Sequence, residues 1–215
     1  MPCCASRGSC SAALDAMDFA ARISTAGQFV ELLRLLEHER DIPGTLRART
    51  GSACLGLAQE HHHSIVLLTE RGLYGSAFTL LRSVFEAYVR GVWLLHCATD
   101  QQVDAFANGT KPPKISLLIL AVEETLQFQE GNLSGVERAH WSAMCAYTHS
   151  GGLHVQRWQT EESVEPSYQE DEVNEMLLLA ELFGAVSAVA LLGLIGDETA
   201  VNKVVRAVGE RTDVL

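Results

Sequence analysis

The sequence predicts an all-α protein, folded as a single helical bundle of about five or six helices. Hydrophobic residues make up 47% of the 215 residues and there are only 5 prolines, so long unbroken helices are possible. Apolar residues recur at intervals of three and four along most of the chain, and no stretch shows the strong alternation that is typical of a strand. The length suits one domain with a sizeable core.

Six helices can be assigned in order, because the residues between them usually interrupt helices. Asp41-Ile-Pro-Gly ends the first, and Arg71-Gly72 ends the second with the base and glycine common at helix C-termini. Ser134-Gly-Val-Glu fits a capping box at the start of the fifth. The turn after the second helix is so short that the second and third must form an antiparallel αα-hairpin. The predicted ranges are 11–40, 45–70, 76–98, 114–128, 134–147 and 170–195.

The helical bundle domain is expected to span residues 13–198. Residues 1–12 are rich in Cys, Ser and Ala and predict a disordered tail, whereas residues 199–215 are predicted to be a short polar C-terminal segment. Within the domain, residues 148–168 form the longest stretch without a helical period. Such segments in compact helical domains are often functional, so this stretch is a candidate site.

Composition limits the kinds of partner that the protein is expected to bind and the compartment in which it is expected to occur. The formal net charge of -11 argues against broad, sequence-independent binding to nucleic acid, although a small cluster of arginines could still bind a phosphate. Cys54, Cys97 and Cys145 lie singly in apolar helical segments, which favours free thiols in a reducing compartment. The N-terminus is a poor secretion signal, because no long apolar segment follows a basic one. We therefore expect a cytoplasmic protein.

One segment has the composition of a membrane span. Residues 176–195 are almost continuously apolar and reach the roughly 20 residues that a spanning helix requires. Glu181 lies inside this segment, however, and acidic residues precede it without a positive flank. We therefore expect a central buried helix of the bundle and no membrane partner.

The most informative motif places three charged residues on one face of the third helix. Arg82, Glu86 and Arg90 are spaced i, i+4 and i+8, and the residues around them are almost all apolar. Ionised groups on a mostly buried helix are costly unless they pair with one another or with a ligand. We therefore predict that Arg82 and Glu86 are mainly buried and paired. The pattern fits either a structural ladder of ion pairs or a binding site.

Three consecutive histidines, His61, His62 and His63, lie within the second helix. They point in three directions and cannot all bind one metal ion, so we expect no metal site from them alone. One of them should face the interior of the bundle. His62 is the candidate among them for binding a ligand. In an antiparallel hairpin the histidines lie at a height similar to that of the Arg82–Glu86 turn. We therefore expect an imidazole beside the carboxylate and guanidinium groups.

The segment YTHSGGLHVQRW, which begins at Tyr147, is the second candidate site. Its adjacent glycines allow the backbone to approach a ligand closely. His149 and His154 can transfer protons near neutral pH, and Arg157 could bind an anion. We expect His149, His154 or Arg157 to face the charged side of the third helix, with His149 as a catalytic candidate and the other two as binding candidates. The alternative is a structural loop that plugs the end of the bundle.

Four motifs, HHHSIVLL, LYGSAF, RSVFEAYVRG and YTHSGG, together resemble an uncharacterised bacterial family of all-helical proteins over roughly residues 47–194. That family is similar in layout to HEPN-like domains. These are helical bundles that often dimerise; many are ribonuclease toxins or anti-phage effectors, and others only bind nucleotides or partners. The resemblance therefore implies a homodimer, RNA or a nucleotide as ligand, and an antitoxin as a further partner.

The nuclease motif of HEPN domains is an arginine, four to six residues and a histidine. Arg90 and His96 match it with five residues between them, although Gly91 follows the arginine where a polar residue is usual. The resemblance implies His96 as the general base on a ribose 2′-hydroxyl and Arg90 as the group that stabilises the phosphorane charge. On one unbroken helix the two residues lie about 120° apart, so dimerisation would have to bring them together from two subunits.

These observations leave three functional hypotheses. The leading one is an RNA- or nucleotide-binding protein that, as an extension, cleaves RNA without a metal as a toxin or anti-phage defence effector. The alternative is a non-catalytic homodimeric interaction module in which the charged helix face is structural. The third is a metal-dependent hydrolase that uses one of the histidines. No glycine-rich phosphate loop, nucleophile elbow or paired zinc-ligand motif is present in the sequence, and no cofactor is expected.

Overall fold

The computed structural model describes residues 8–126 and 131–212, and these residues form helices and their connections without any strand. This confirms the predicted all-α class. Six of the helices lie close to the predicted boundaries. The helices are α1 (Gly8–Glu37), α2 (Leu46–Glu70), α3 (Tyr74–His96), α4 (Asp100–Ala107), α5 (Ile115–Leu126), α6 (Asn132–Thr148), α7 (Gly152–Gln156), α8 (Glu170–Leu194) and α9 (Glu198–Thr212).

The predicted number of helices is too low, because the part of the chain that the structure describes contains nine. The additional helices are α4, α7 and α9. The first two are short, with 8 and 5 residues, and show too few turns for a helical period. Residues 199–212 are polar in composition but form most of α9, where Ala200 and Val204 are buried against α1 and α8. Residues 1–7 of the predicted tail lie outside the described residues.

The α2–α3 hairpin is closely packed because glycines face each other across it. A Cβ atom added at Gly51 would lie 2.6 Å from Leu95 Cγ, and one added at Gly91 would lie 2.8 Å from Leu55 Cγ. Real Cβ atoms do not approach other atoms so closely, so glycine is required at both positions. This contact brings the backbones of α2 and α3 close together.

Helix α8 lies at the centre of the fold, where it packs against α1, α2, α3 and α9. By length and composition alone it is the one described helix that could cross a membrane. Its buried Glu181 is bound from two sides. Arg22 of α1 donates two hydrogen bonds of 2.9 Å to its carboxylate, and Arg211 of α9 donates another of 2.9 Å. The carboxylate therefore joins three helices.

Helix α6 begins at Asn132 and not at the predicted capping box on Ser134. Its first turn is capped from another helix, because Glu123 of α5 accepts the backbone N–H groups of Leu133 at 2.8 Å and Ser134 at 2.9 Å. A carboxylate at a helix N-terminus also interacts favourably with the helix dipole. The cap links α5 to α6, and both helices pack against α3.

Candidate functional site

The charged face of α3 forms a continuous ion-pair ladder, made of Arg82, Glu86 and Arg90. Glu86 accepts a hydrogen bond of 2.7 Å from Arg82 Nε through Oε1, and one from Arg90 Nη2 through Oε2. The Glu86 side chain is 13% exposed, and those of Arg82 and Arg90 are 23% and 33% exposed. The predicted pairing of Arg82 with Glu86 is therefore present. Because one carboxylate binds both guanidinium groups, it fixes the orientation of each.

The ladder forms one wall of a groove with a volume of about 580 Å³. The loop between α4 and α5 and the first turn of α5 form the opposite wall, and α6 closes one side. Trp141 of α6 lies under the ladder, with its ring centre 4.6 Å from the guanidinium carbon of Arg82. The groove is lined by Arg82, Glu86, Arg90, Lys111, Pro112, Pro113, Lys114, Ile115, Ser116, Glu137 and Trp141.

The groove is locally cationic in an acidic protein. Two of the three lysines in the whole chain lie here, in a protein whose formal net charge is -11. Ile115 and Ser116 also bring the N-terminal end of α5 to the groove, where free N–H groups and the helix dipole favour an anion. The charged lining comprises four cationic and two anionic side chains, namely Arg82, Arg90, Lys111, Lys114, Glu86 and Glu137.

His149 extends the ladder at the end of α6. It is the C-cap residue of that helix, and its Nε2 lies 2.9 Å from Arg82 Nη1. Arginine has only donors, so Nε2 must accept this hydrogen bond and the proton of a neutral ring must lie on Nδ1. The sequence prediction that this segment would meet the third helix is therefore correct for His149.

The other two candidates of that prediction, His154 and Arg157, do not line the groove. His154 Nδ1 lies 2.9 Å from the carbonyl oxygen of Tyr147, which it can only contact as a donor. Arg157 pairs with Glu172 of α8, and this hydrogen bond raises the pKa of the guanidinium. His154 packs beside Gly75 in the first turn of α3, and Arg157 lines a separate cavity between α6 and α8.

One histidine faces inward as predicted, and it is His62, but it does not meet the ladder. Its ring packs beside Gly184 of α8 and lies edge-on to Phe29 of α1, with 6.2 Å between the ring centres. Burial lowers its pKa to about 3, with smaller contributions from His63 and Arg211. Within the described parts of the chain, no group of three or more His, Cys, Asp or Glu residues could hold a metal ion.

Arg90 and His96 do not form one site within a single chain. Helix α3 is continuous to His96, so the two residues keep the angular separation expected from their spacing. Arg90 lines the groove, whereas His96 is near Arg47 of α2. Burial lowers the pKa of His96, and the charge of Arg47 lowers it further.

Sequence reasoning missed the far wall of the groove. Lys111, Lys114, Glu137 and Trp141 belong to elements distant from α3 in the chain, and only packing brings them to it. One signal was available, because Lys-Pro-Pro-Lys concentrates two scarce lysines in a loop. Neighbouring prolines restrict such a loop and hold its charges in place.

Comparison with known families matches residues 55–215 to a family of unknown function, DUF6988. The chain belongs to the DUF6988 family. The DUF6988 match includes every residue that lines the groove, as well as His149. Helix α1 precedes it. Comparisons with curated proteins and with solved structures gave no match.

Proposed function

We propose that this protein binds a phosphate-bearing ligand, RNA or a nucleotide, in the groove beside the ladder. The observation that supports this best is the convergence of two arginines, two lysines and a helix N-terminus on one groove of a strongly acidic protein. Phosphate is recognised by such combinations of guanidinium, ammonium and backbone N–H groups. The similarity in layout to HEPN-like domains, which the sequence motifs indicate, is part of this proposal.

The ladder prepares the arginines for a phosphate. Arg82 donates a hydrogen bond to Glu86 through Nε and one to His149 through Nη1, and Arg90 donates one to Glu86 through Nη2. Among the described residues no acceptor contacts Arg82 Nη2 or the remaining nitrogens of Arg90. These donors, held by the carboxylate, would bind phosphate oxygens without the entropy cost of ordering a free arginine.

The test is binding of a fluorescein-labelled single-stranded RNA, followed by fluorescence anisotropy over a range of salt concentrations. A mononucleotide serves as competitor and distinguishes the two ligand sources. The double variant Lys111→Gln/Lys114→Gln should weaken binding and reduce the slope of log affinity against log salt by about 1.4, since each phosphate contact to a single strand contributes about 0.7. Both lysines are exposed, so the fold should be unaffected.

Lys203→Gln provides the matched control, because Lys203 is the third lysine and lies on α9, away from the groove. It should bind RNA as the wild type does. An equal loss in this control would show that only net charge matters. Absence of saturable binding of both RNA and nucleotide would contradict the proposal and leave the non-catalytic interaction module as the better hypothesis.

Ribonuclease activity is a second candidate function, favoured by the contact between His149 and Arg82. His149 would accept the proton of a ribose 2′-hydroxyl while the 2′-oxygen bonds to phosphorus, and the leaving 5′-oxygen would take a proton from water, which yields a 2′,3′-cyclic phosphate and a 5′-hydroxyl end. Its Nε2 must first be released by Arg82, and a phosphate that draws the guanidinium into the groove would do this. The base would then be His149 and not His96.

Purified protein incubated with single-stranded RNA in a chelator tests this role. Cleavage should stop in His149→Ala and persist in His96→Ala, and only the active forms should slow growth when expressed. The opposite pattern would favour the Arg90–His96 pairing across a dimer. Equal cleavage by all three proteins would indicate a contaminating nuclease and would remove the support for a toxin or defence role and for an antitoxin partner.

A further inference from the structure

A second cavity, of about 310 Å³, lies between α6 and α8 and shares no lining residue with the groove. Its volume is at the lower end of the range for small-molecule sites. We call it the α6–α8 pocket. It is bounded by α3 and α7 as well, and its polar members are His140, Arg157, Glu172, Glu175 and the hydroxyl of Tyr147, which contacts Arg157.

The floor of this pocket is mainly apolar, and its side chains are held in place by packing. Phe78, Met144, Tyr147 and Met176 are all at least nine-tenths buried. The rings of Phe78 and Tyr147 stack with 4.5 Å between their centres, which fixes both orientations. Methionine side chains adapt to the shape of a ligand more readily than branched ones do. Such a floor suits a small flat or branched hydrocarbon group.

The charges at the mouth do not cancel. Arg157 forms a hydrogen-bonded ion pair with Glu172, so these two groups neutralise each other. Glu175 has a side chain that is 64% exposed, and His140 Nδ1 lies 3.6 Å from its Oε1, a contact that is an ion pair only when the imidazole is protonated. That distance is too long for a hydrogen bond. One carboxylate therefore remains available at the edge of an apolar floor.

We propose that the α6–α8 pocket binds a small amphipathic primary amine, with its apolar group on the floor and its ammonium group against Glu175. An ammonium supplies the donors that the carboxylate lacks, and the apolar part gains by leaving water. An anion of the same shape is repelled by the uncompensated charge. The preference is thus opposite to that of the groove, and it does not depend on the function proposed for the groove.

The experiment compares three ligands with nearly the same hydrocarbon part and different head groups: 2-phenylethylamine, 2-phenylethanol and phenylacetate. Ligand-observed NMR titration with the full chain gives the dissociation constants, which for ligands of this size should be roughly millimolar. The amine should bind about two- to fivefold more tightly than the alcohol, as expected for an exposed ion pair. Phenylacetate should bind most weakly.

Two charge variants test the role of Glu175. Glu175→Gln should abolish the preference for the amine and leave the alcohol unaffected. Glu170→Gln is the matched control, because Glu170 is an exposed carboxylate in the first turn of the same helix and does not line the pocket. Ala143→Leu should weaken amine and alcohol alike, since Ala143 lines the cavity and the larger side chain would fill it.

Three results would overturn the proposal. These are absence of saturable amine binding, equal affinity for the three ligands, and equal effects of Glu175→Gln and Glu170→Gln. The last would mean that the amine is attracted to the acidic surface of α8 in general. Circular dichroism of each variant establishes that its helices are intact before binding is measured.

Discussion

Replacing Glu181 by alanine should destabilise the protein more than the same change at Glu86. Glu181 is 7% exposed and has two arginine partners whose side chains are only about one-fifth exposed. Removal of one member of a buried ion pair costs about 3–5 kcal/mol, because the remaining charge stays desolvated. The partial exposure of the two arginines favours the lower end of this range. Glu86 is less deeply buried and its partners more exposed, so we expect about 1–2 kcal/mol there.

Urea denaturation followed by circular dichroism at 222 nm measures both free energies of unfolding. For a chain of this size, a loss of about 3 kcal/mol lowers Tm by about 6–12 °C. The triple variant Arg22→Met/Glu181→Leu/Arg211→Met should regain most of the loss, since apolar residues of similar volume replace buried ion pairs at little cost. If Glu181→Ala were no more destabilising than Glu86→Ala, the argument from burial would be refuted.

Two further predictions concern the contact between α2 and α8. The pKa of His62 is about 3 in the folded protein against about 6.5 when unfolded, so stability is unaffected above pH 6.5 and falls as the pH decreases toward 3. His62→Leu should therefore remove about 1.6 kcal/mol of the loss between pH 6.5 and pH 5, as judged by urea titrations at each pH. Gly184→Ala should cost at least about 2 kcal/mol, because its Cβ would lie 2.3 Å from His62 Nδ1, and His62→Ala should restore part of that stability. Gly193→Ala on the same helix has open space and should be neutral or stabilising by thermal denaturation, and a loss equal to that of Gly184→Ala would contradict the steric explanation.

The long helices could be predicted from sequence because their signals are local. Pro43 and Gly72 mark breaks that depend on backbone chemistry alone. Helix α9 does carry such a signal, because Val201, Val204, Val205 and Val208 recur at intervals of three and four, but the polar composition of residues 199–215 outweighed it in the prediction. The start of α6, in contrast, has no local signal. Its cap is Glu123, which comes from a preceding helix and not from the sequence around Ser134.

In the candidate site, too, local features were predictable from sequence and features that depend on packing were not. The ladder was predictable because residues four apart on a helix are neighbours whatever the rest of the fold does. The direction of His62 was not predictable. Three consecutive histidines point to three sides of α2, and which of them is buried depends on the helix that packs there. Here α8, with Gly184 opposite the imidazole, accommodates the ring, and the ladder lies elsewhere. The position of the loop that carries Lys111 and Lys114 likewise depends on packing between elements that are distant in the chain.

The contact between His149 and Arg82 makes the imidazole a spectroscopic reporter of groove occupancy. In the structure Nε2 is the acceptor from an arginine, so a neutral ring carries its proton on Nδ1. The nitrogen chemical shifts of a histidine ring distinguish its two neutral tautomers and its cation. A ligand that draws Arg82 away removes the constraint on Nε2 and changes those shifts. Titration of nitrogen-labelled protein could therefore detect occupancy at a single identifiable atom pair, even for a ligand that is never turned over.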